Sequence, residues 1–109
     1  MDDKILYTKA DINKLFLQAK FDTIVSTEFI EHITEEDLNK LLVKIINWLK
    51  PDGHFFGSTP NVPQYSGNPF HLKEYTTDEL RKKMELFGLT GNYYNPIQFL
   101  TVFDLWFRS

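Results

Sequence analysis

The chain contains no cysteine among its 109 residues, which excludes disulfides and thiolate metal sites and leaves the redox compartment undefined. Glycine is sparse, occurring only as Gly53, Gly57, Gly67, Gly88 and Gly91. No two are spaced Gly-x-Gly and none precedes Gly53. The early part of the chain therefore has no glycine-rich loop of the kind that lets a backbone close on a ligand. No run of about 18 apolar residues exists, so no transmembrane helix is expected. The polar N-terminus lacks the apolar core of a signal peptide. Basic residues are not in excess: 12 Lys and Arg stand against 15 Asp and Glu, a net charge of -3. That balance argues against a nucleic-acid backbone as the main partner. Internal repeats and low-complexity segments are also missing.

What remains is a globular composition, 42% hydrophobic, 16% aromatic and 25% charged. The length suits one small domain. Such a chain buries about 60 to 65% of its unfolded surface, so its core is modest. A soluble, cytoplasmic protein with no membrane partner is the expectation.

The most informative stretch runs from Phe21 to Asn61. Phe21-Asp22-Thr23-Ile24-Val25 is β-rich and stops at the polar Ser26-Thr27-Glu28. Thr34 opens a helix with Asp37 at the capping position. Leu38, Leu41, Leu42, Ile45 and Leu49 then form one apolar stripe at helical spacing. Pro51-Asp52-Gly53 is expected to end the helix and turn the chain into a second strand, His54 to Ser58. Strand, crossover helix and strand in this order predict a βαβ unit with parallel strands. Ligands of open parallel sheets sit outside the carboxyl ends of the strands. Ser26-Thr27-Glu28, Glu31-His32 and Ser58-Thr59-Pro60-Asn61 should gather at that edge. The competing reading is that these residues only cap and turn the chain.

Outside this stretch, Lys4 to Ala10 reads as a strand, and Asp11 as the cap of a short helical turn through Leu15-Phe16. Asn61 to Tyr75 is a polar loop long enough to be functional, or a surface loop pinned by its aromatic residues. Thr76 and Glu79 form a capping box ahead of a helix. Leu80, Met84 and Phe87 are its buried stripe and Gly88 its stop. Leu89 to Asn95 is a strand candidate. Ile97 to Phe107 is rich in aromatics and shows no clear strand, so it is expected to leave an uncovered apolar surface. His32, His54 and His71 are 22 and 17 residues apart. No pair lies one helical turn apart, so no metal site is expected from spacing.

Four pieces resemble the later half of a class I S-adenosylmethionine-dependent methyltransferase domain. They are Phe21-Asp22-Thr23-Ile24 with the Glu31-His32 pair, the leucine-rich helix, Leu49-Lys50-Pro51-Asp52-Gly53 and Ser58-Thr59-Pro60-Asn61. Asp52 stands where a glycine is usual. Asn68 to Thr76 is similar to a segment of many small-molecule members. The resemblance implies a partial Rossmann-like α/β fold over residues 1–109, a single partial domain from the third strand onward. It implies a mostly parallel sheet of roughly four strands with flanking helices. It also implies S-adenosyl-L-methionine as cofactor and a small hydroxyl or amine acceptor. By carry-over, Asp11 and Ile12 face adenine, and Ser26, Thr27 and Glu28 lie close to the cofactor. Asn61, Tyr65, His71 and Tyr75 are substrate-side. Glu31 and His32 are the catalytic candidates, His32 as a general base or else a packing residue. Asp11 could equally be a plain helix cap.

On this alignment the first two strands, with their Gly-x-Gly-x-Gly loop, have no counterpart. Self-association, or a second chain supplying those strands, is therefore a further expectation. The alternative function is a non-catalytic remnant serving as an interaction or substrate-binding module.

Overall fold

A computed structural model describes residues 11, 14, 15, 17, 18, 20–61 and 71–107. The expected strand Lys4–Ala10, and the site candidates Ile12 and Tyr65, lie outside the described residues. Strand β1 spans Phe21–Thr27 and is followed by a single 3-10 turn, Ile30–His32. Helix α1 covers Glu35–Trp48, strand β2 Leu49–Pro60 and helix α2 Thr77–Leu86. Strands β3, Leu89–Tyr94, and β4, Leu100–Phe107, complete the described elements.

Both helices start where the sequence places them. The Thr34 hydroxyl accepts from the Asp37 amide at 3.1 Å. Leu38, Leu41, Leu42 and Ile45 are all buried. In α2 the full capping box forms between Thr76 and Glu79. Leu80 and Met84 are fully buried, and Gly88 ends the helix at φ 82°, a left-handed angle that suits glycine.

Pro51-Asp52-Gly53 does not terminate the helix. Leu49 already leaves it in extended geometry, while its amide still bonds the Ile45 carbonyl. The turn becomes an irregularity inside β2 instead. Phe21 faces Leu49 but Thr23 faces His54, so five residues of β2 span two of β1. The extra length is absorbed by Lys50 to Gly53.

The sheet order is β1-β2-β4-β3. The βαβ unit is parallel as predicted, but β4 runs antiparallel to both β2 and β3. Among the described residues the sheet is thus mixed rather than mostly parallel. The Ile97–Phe107 expectation also needs correcting: Leu100–Phe107 is an inner strand, not uncovered apolar chain. Its buried phase is Thr101, Phe103 and Leu105. Phe103 lies across from Gly57, and a Cβ at Gly57 would meet its ring at 2.2 Å. Glycine is what allows that ring to lie on the β2 backbone.

The core lies on one face of the sheet. Leu38, Leu42 and Ile45 of α1 and Leu80 and Met84 of α2 pack there with Phe55, Leu89, Phe103 and Leu105. Lys83 of α2 ties the helices together through Asn39 and Glu35. The opposite face carries Val25, Phe56 and Trp106, and Val25 remains 63% exposed. No described element covers it.

Candidate active site

The carboxyl ends of β1 and β2 are held side by side. The Glu28 amide donates to the Ser58 carbonyl at 3.0 Å, and the Ser58 hydroxyl to the Glu28 carboxylate at 3.3 Å. Glu28 adopts φ 50°, a left-handed conformation uncommon for a residue with a side chain. It lifts the chain off β1 into the 3-10 turn that presents Glu31 and His32.

Glu31 is fully buried, and among the described residues neither carboxylate oxygen has a hydrogen-bond partner of normal geometry. Its carboxyl is pushed up to about 7, first by burial and further by the nearby Glu28, with its own backbone and His32 opposing. Its main chain is anchored: the Glu31 carbonyl accepts from the amides of Leu72 at 2.7 Å and Lys73 at 3.3 Å. Those two bonds bring the segment after β2 onto the turn after β1, and His71 with it.

The His32 and His71 rings meet edge to face, 4.8 Å between centroids. His71 Nδ1 bonds the Glu74 carboxylate at 2.6 Å, with the Glu74 side chain 2% exposed. Glu31, His32, His71 and Glu74 therefore form one cluster drawn from both sides of the βαβ unit. Sequence reasoning named Glu31 and His32 as a pair and His71 apart from them, and missed Glu74. The signal was its i,i+3 spacing from His71.

Other candidates are placed differently. Ser26 is partly buried near the end of β1, with its hydroxyl lacking a hydrogen-bond partner. Thr27 is exposed beside it. Both line a cavity of about 250 Å³ together with Ile24, Phe29, Leu41, Ile45 and Trp48. Asp11 is exposed, and its carbonyl accepts from the amides of Lys14 and Leu15, so it does open a turn. Asn61 is engaged structurally: its amide side chain donates to Thr77 at 3.1 Å and its backbone to Phe99 at 2.9 Å. Tyr75 joins the core, and burial, with Glu35 and Glu79 adding to it, pushes its phenol up to about 12. It lines a different cavity, with Glu35, Lys73 and Glu79.

The profile of a family described as "Methyltransferase domain" matches residues 3–94. Nodulation protein S of Azorhizobium caulinodans is 39% identical over 60 residues, which cover 53% of this chain and 29% of that protein. Phosphoethanolamine N-methyltransferase of Plasmodium falciparum is 42% identical over 53 residues, 48% of this chain and 20% of that one. The chain thus spans less than a third of these relatives' length. Solved structures share the fold at low identity. The complex of DhpI with SAH superimposes with a TM-score of 0.81 at 10% identity, over 97% of this chain and 56% of that one. An S-adenosylmethionine-dependent methyltransferase from Clostridium acetobutylicum gives a TM-score of 0.74 at 13% identity, over 94% and 64%. With this match across most of its length, the chain belongs to the class I S-adenosylmethionine-dependent methyltransferase domain family.

Proposed function

We propose that the chain carries the acceptor-side part of a methyltransferase site that acts on a small hydroxyl or amine acceptor. One observation carries the reading. The buried Glu31 and the exposed His32 stand beside the polar carboxyl edge of two parallel strands, where Glu28 and Ser58 already bond each other. The residues present suit the cofactor in part. The partnerless Ser26 hydroxyl, the Thr27 side chain and the largely apolar cavity between β1 and α1 offer a flat aromatic group a wall and a polar contact. S-adenosyl-L-methionine, when bound, supplies an electrophilic methyl group. Ser26, Thr27 and Glu28 would hold it on the β1 side, with Asp11 and Ile12 assigned to adenine by family resemblance alone. Glu31 or His32 would take the acceptor's proton, a task for which a carboxyl titrating near neutrality is suited. His71 would orient the acceptor. Alignment of acceptor and methyl supplies most of the acceleration in such displacements.

Calorimetric titration of the chain with S-adenosylmethionine and S-adenosylhomocysteine tests this. Binding with a dissociation constant of about micromolar order is expected. Absence of heat at roughly millimolar ligand overturns cofactor binding by this chain.

A second reading, an interaction module, is favoured by the uncovered sheet face, where Val25 and Phe56 are exposed and Trp106 is half-buried. Self-association, or a second chain docking there, would make sedimentation concentration-dependent or partner-dependent. A concentration-independent monomer removes the self-association form of it.

A further inference from the structure

Glu31, His32 and His71 present one donor atom each, all within 4.8 Å of one another. Ligands of a tetrahedral ion at about 2.0 to 2.1 Å lie roughly 3.4 Å apart. The widest pair would therefore have to close by about 1.4 Å on binding, and His32 is the exposed member of the three. Two independent features make this more than a chance grouping. The Glu31 carboxylate is fully buried, and among the described residues neither oxygen has a hydrogen bond of normal geometry, a state that a cation relieves. His71 is held by Glu74 through Nδ1, which fixes the ring beside Glu31 and His32. A buried carboxylate behind a histidine is the usual outer support of a metal ligand.

We propose that Glu31, His32 and His71 bind a divalent transition-metal ion. Two imidazoles and one carboxylate favour zinc or cobalt over magnesium, calcium and manganese, which prefer oxygen ligands. Three protein ligands leave at least one position open, as in catalytic rather than structural sites. That position lies at the carboxyl edge of β1 and β2 and suits an oxygen ligand. If it is the acceptor, a hydroxyl is favoured over an amine, because a bound divalent ion makes a hydroxyl proton easier to lose. This role, unlike the binding itself, rests on the methyl-transfer reading.

Cobalt(II) titration of the chelator-stripped chain, followed by visible absorption, tests the site without any S-adenosylmethionine. The expected result is saturation at one ion per chain with the absorption of a nitrogen-coordinated, low-coordinate cobalt. Glu31→Gln and His71→Ala should each weaken binding by about 100-fold or more, and Glu74→Gln by about 10- to 100-fold. His54→Ala removes a histidine outside the cluster and should change nothing. Each variant is checked for native circular dichroism, and a misfolded one is replaced by Glu31→Ala or His71→Asn. Failure to saturate, or saturation unmoved by these changes, or equal loss in His54→Ala, overturns the proposal. Cobalt binding with no cofactor binding would retain the metal site and discard methyl transfer by this chain; the reverse would do the opposite.

Discussion

Burial of Glu31 makes a prediction about stability. Its folded carboxyl titrates at about 7 against an ordinary 4.5, burial being the largest cause. The folded state therefore holds a proton that the unfolded chain has already lost. The sign follows from linkage: stability from this group is highest below the unfolded value, falls as pH rises through the interval, and levels off above about 7. At about 1.36 kcal/mol per unit, the penalty at high pH has a ceiling of roughly 3 kcal/mol. Glu31→Gln keeps the shape and removes the charge. The buried amide leaves its own hydrogen bonds unmet, a cost of about 1 to 3 kcal/mol that acts at every pH. Raising the pH should therefore move the variant from below the parent toward equality or above it, a swing of roughly 2 to 3 kcal/mol. Urea denaturation in chelator, followed by fluorescence of the buried Trp48, at about pH 5 and about pH 8 measures the swing. A difference between variant and parent that is the same at both values refutes the argument. It would mean that the carboxylate is solvated or paired in the fold.

Three further outcomes follow from packing and capping. Gly57→Ala puts a Cβ 2.2 Å from the Phe103 ring and 2.5 Å from the Ser26 carbonyl; because the second contact is backbone, the loss should reach about 3 kcal/mol by urea midpoint, at the upper end for overpacking. Phe103→Ala, at a fully buried position, should cost about 3 to 5 kcal/mol. In calorimetric melting, Thr76→Ala should lose about 1 kcal/mol, because the hydroxyl that accepts from the Glu79 amide at 3.2 Å is removed.

Much of this fold was readable because its signals are local. Thr34, Thr76 and Gly88 mark helix ends through bonds made within a few residues, and the leucine stripe of α1 needs only periodicity. The place of β4 was not readable. Its alternation is blurred because Val102 and Trp106 on the open face are as apolar as Phe103 and Leu105 on the core face. Its antiparallel insertion between β2 and β3 is decided by contacts far apart in sequence. The end of α1 was misplaced for a related reason. Pro51 and Gly53 can break a helix or bulge a strand, and only the pairing with Phe21 and Thr23 selects the bulge. At the site, the polar clusters after β1 and β2 were legible from order alone. The meeting of His32 with His71 was not, because a one-turn spacing rule sees only ligands on a single helix. Here the contact is made by two amides reaching the Glu31 carbonyl.

Glu31 also bears on which function is the better reading. A small domain has roughly 5 to 15 kcal/mol of stability in all, and a buried, unpartnered carboxylate uses a substantial part of it. The main-chain role of Glu31, accepting from Leu72 and Lys73, needs no carboxyl and would be served by any side chain. An interaction module that used only the open sheet face would likewise have no use for that group. The strained Glu28 backbone adds a second local cost at the same turn. Both costs fall at the carboxyl edge of the parallel strands and neither on the open face, which favours chemistry or ion binding at that edge. The same reasoning fixes how metal should alter the first experiment. With saturating cobalt(II), the parent should gain stability while Glu31→Gln gains little, so near pH 8 the parent should rise clearly above the variant, which in chelator is its equal or better. Equal gains in both would show that the ion binds without Glu31, and would leave the buried carboxylate to be explained by proton transfer alone.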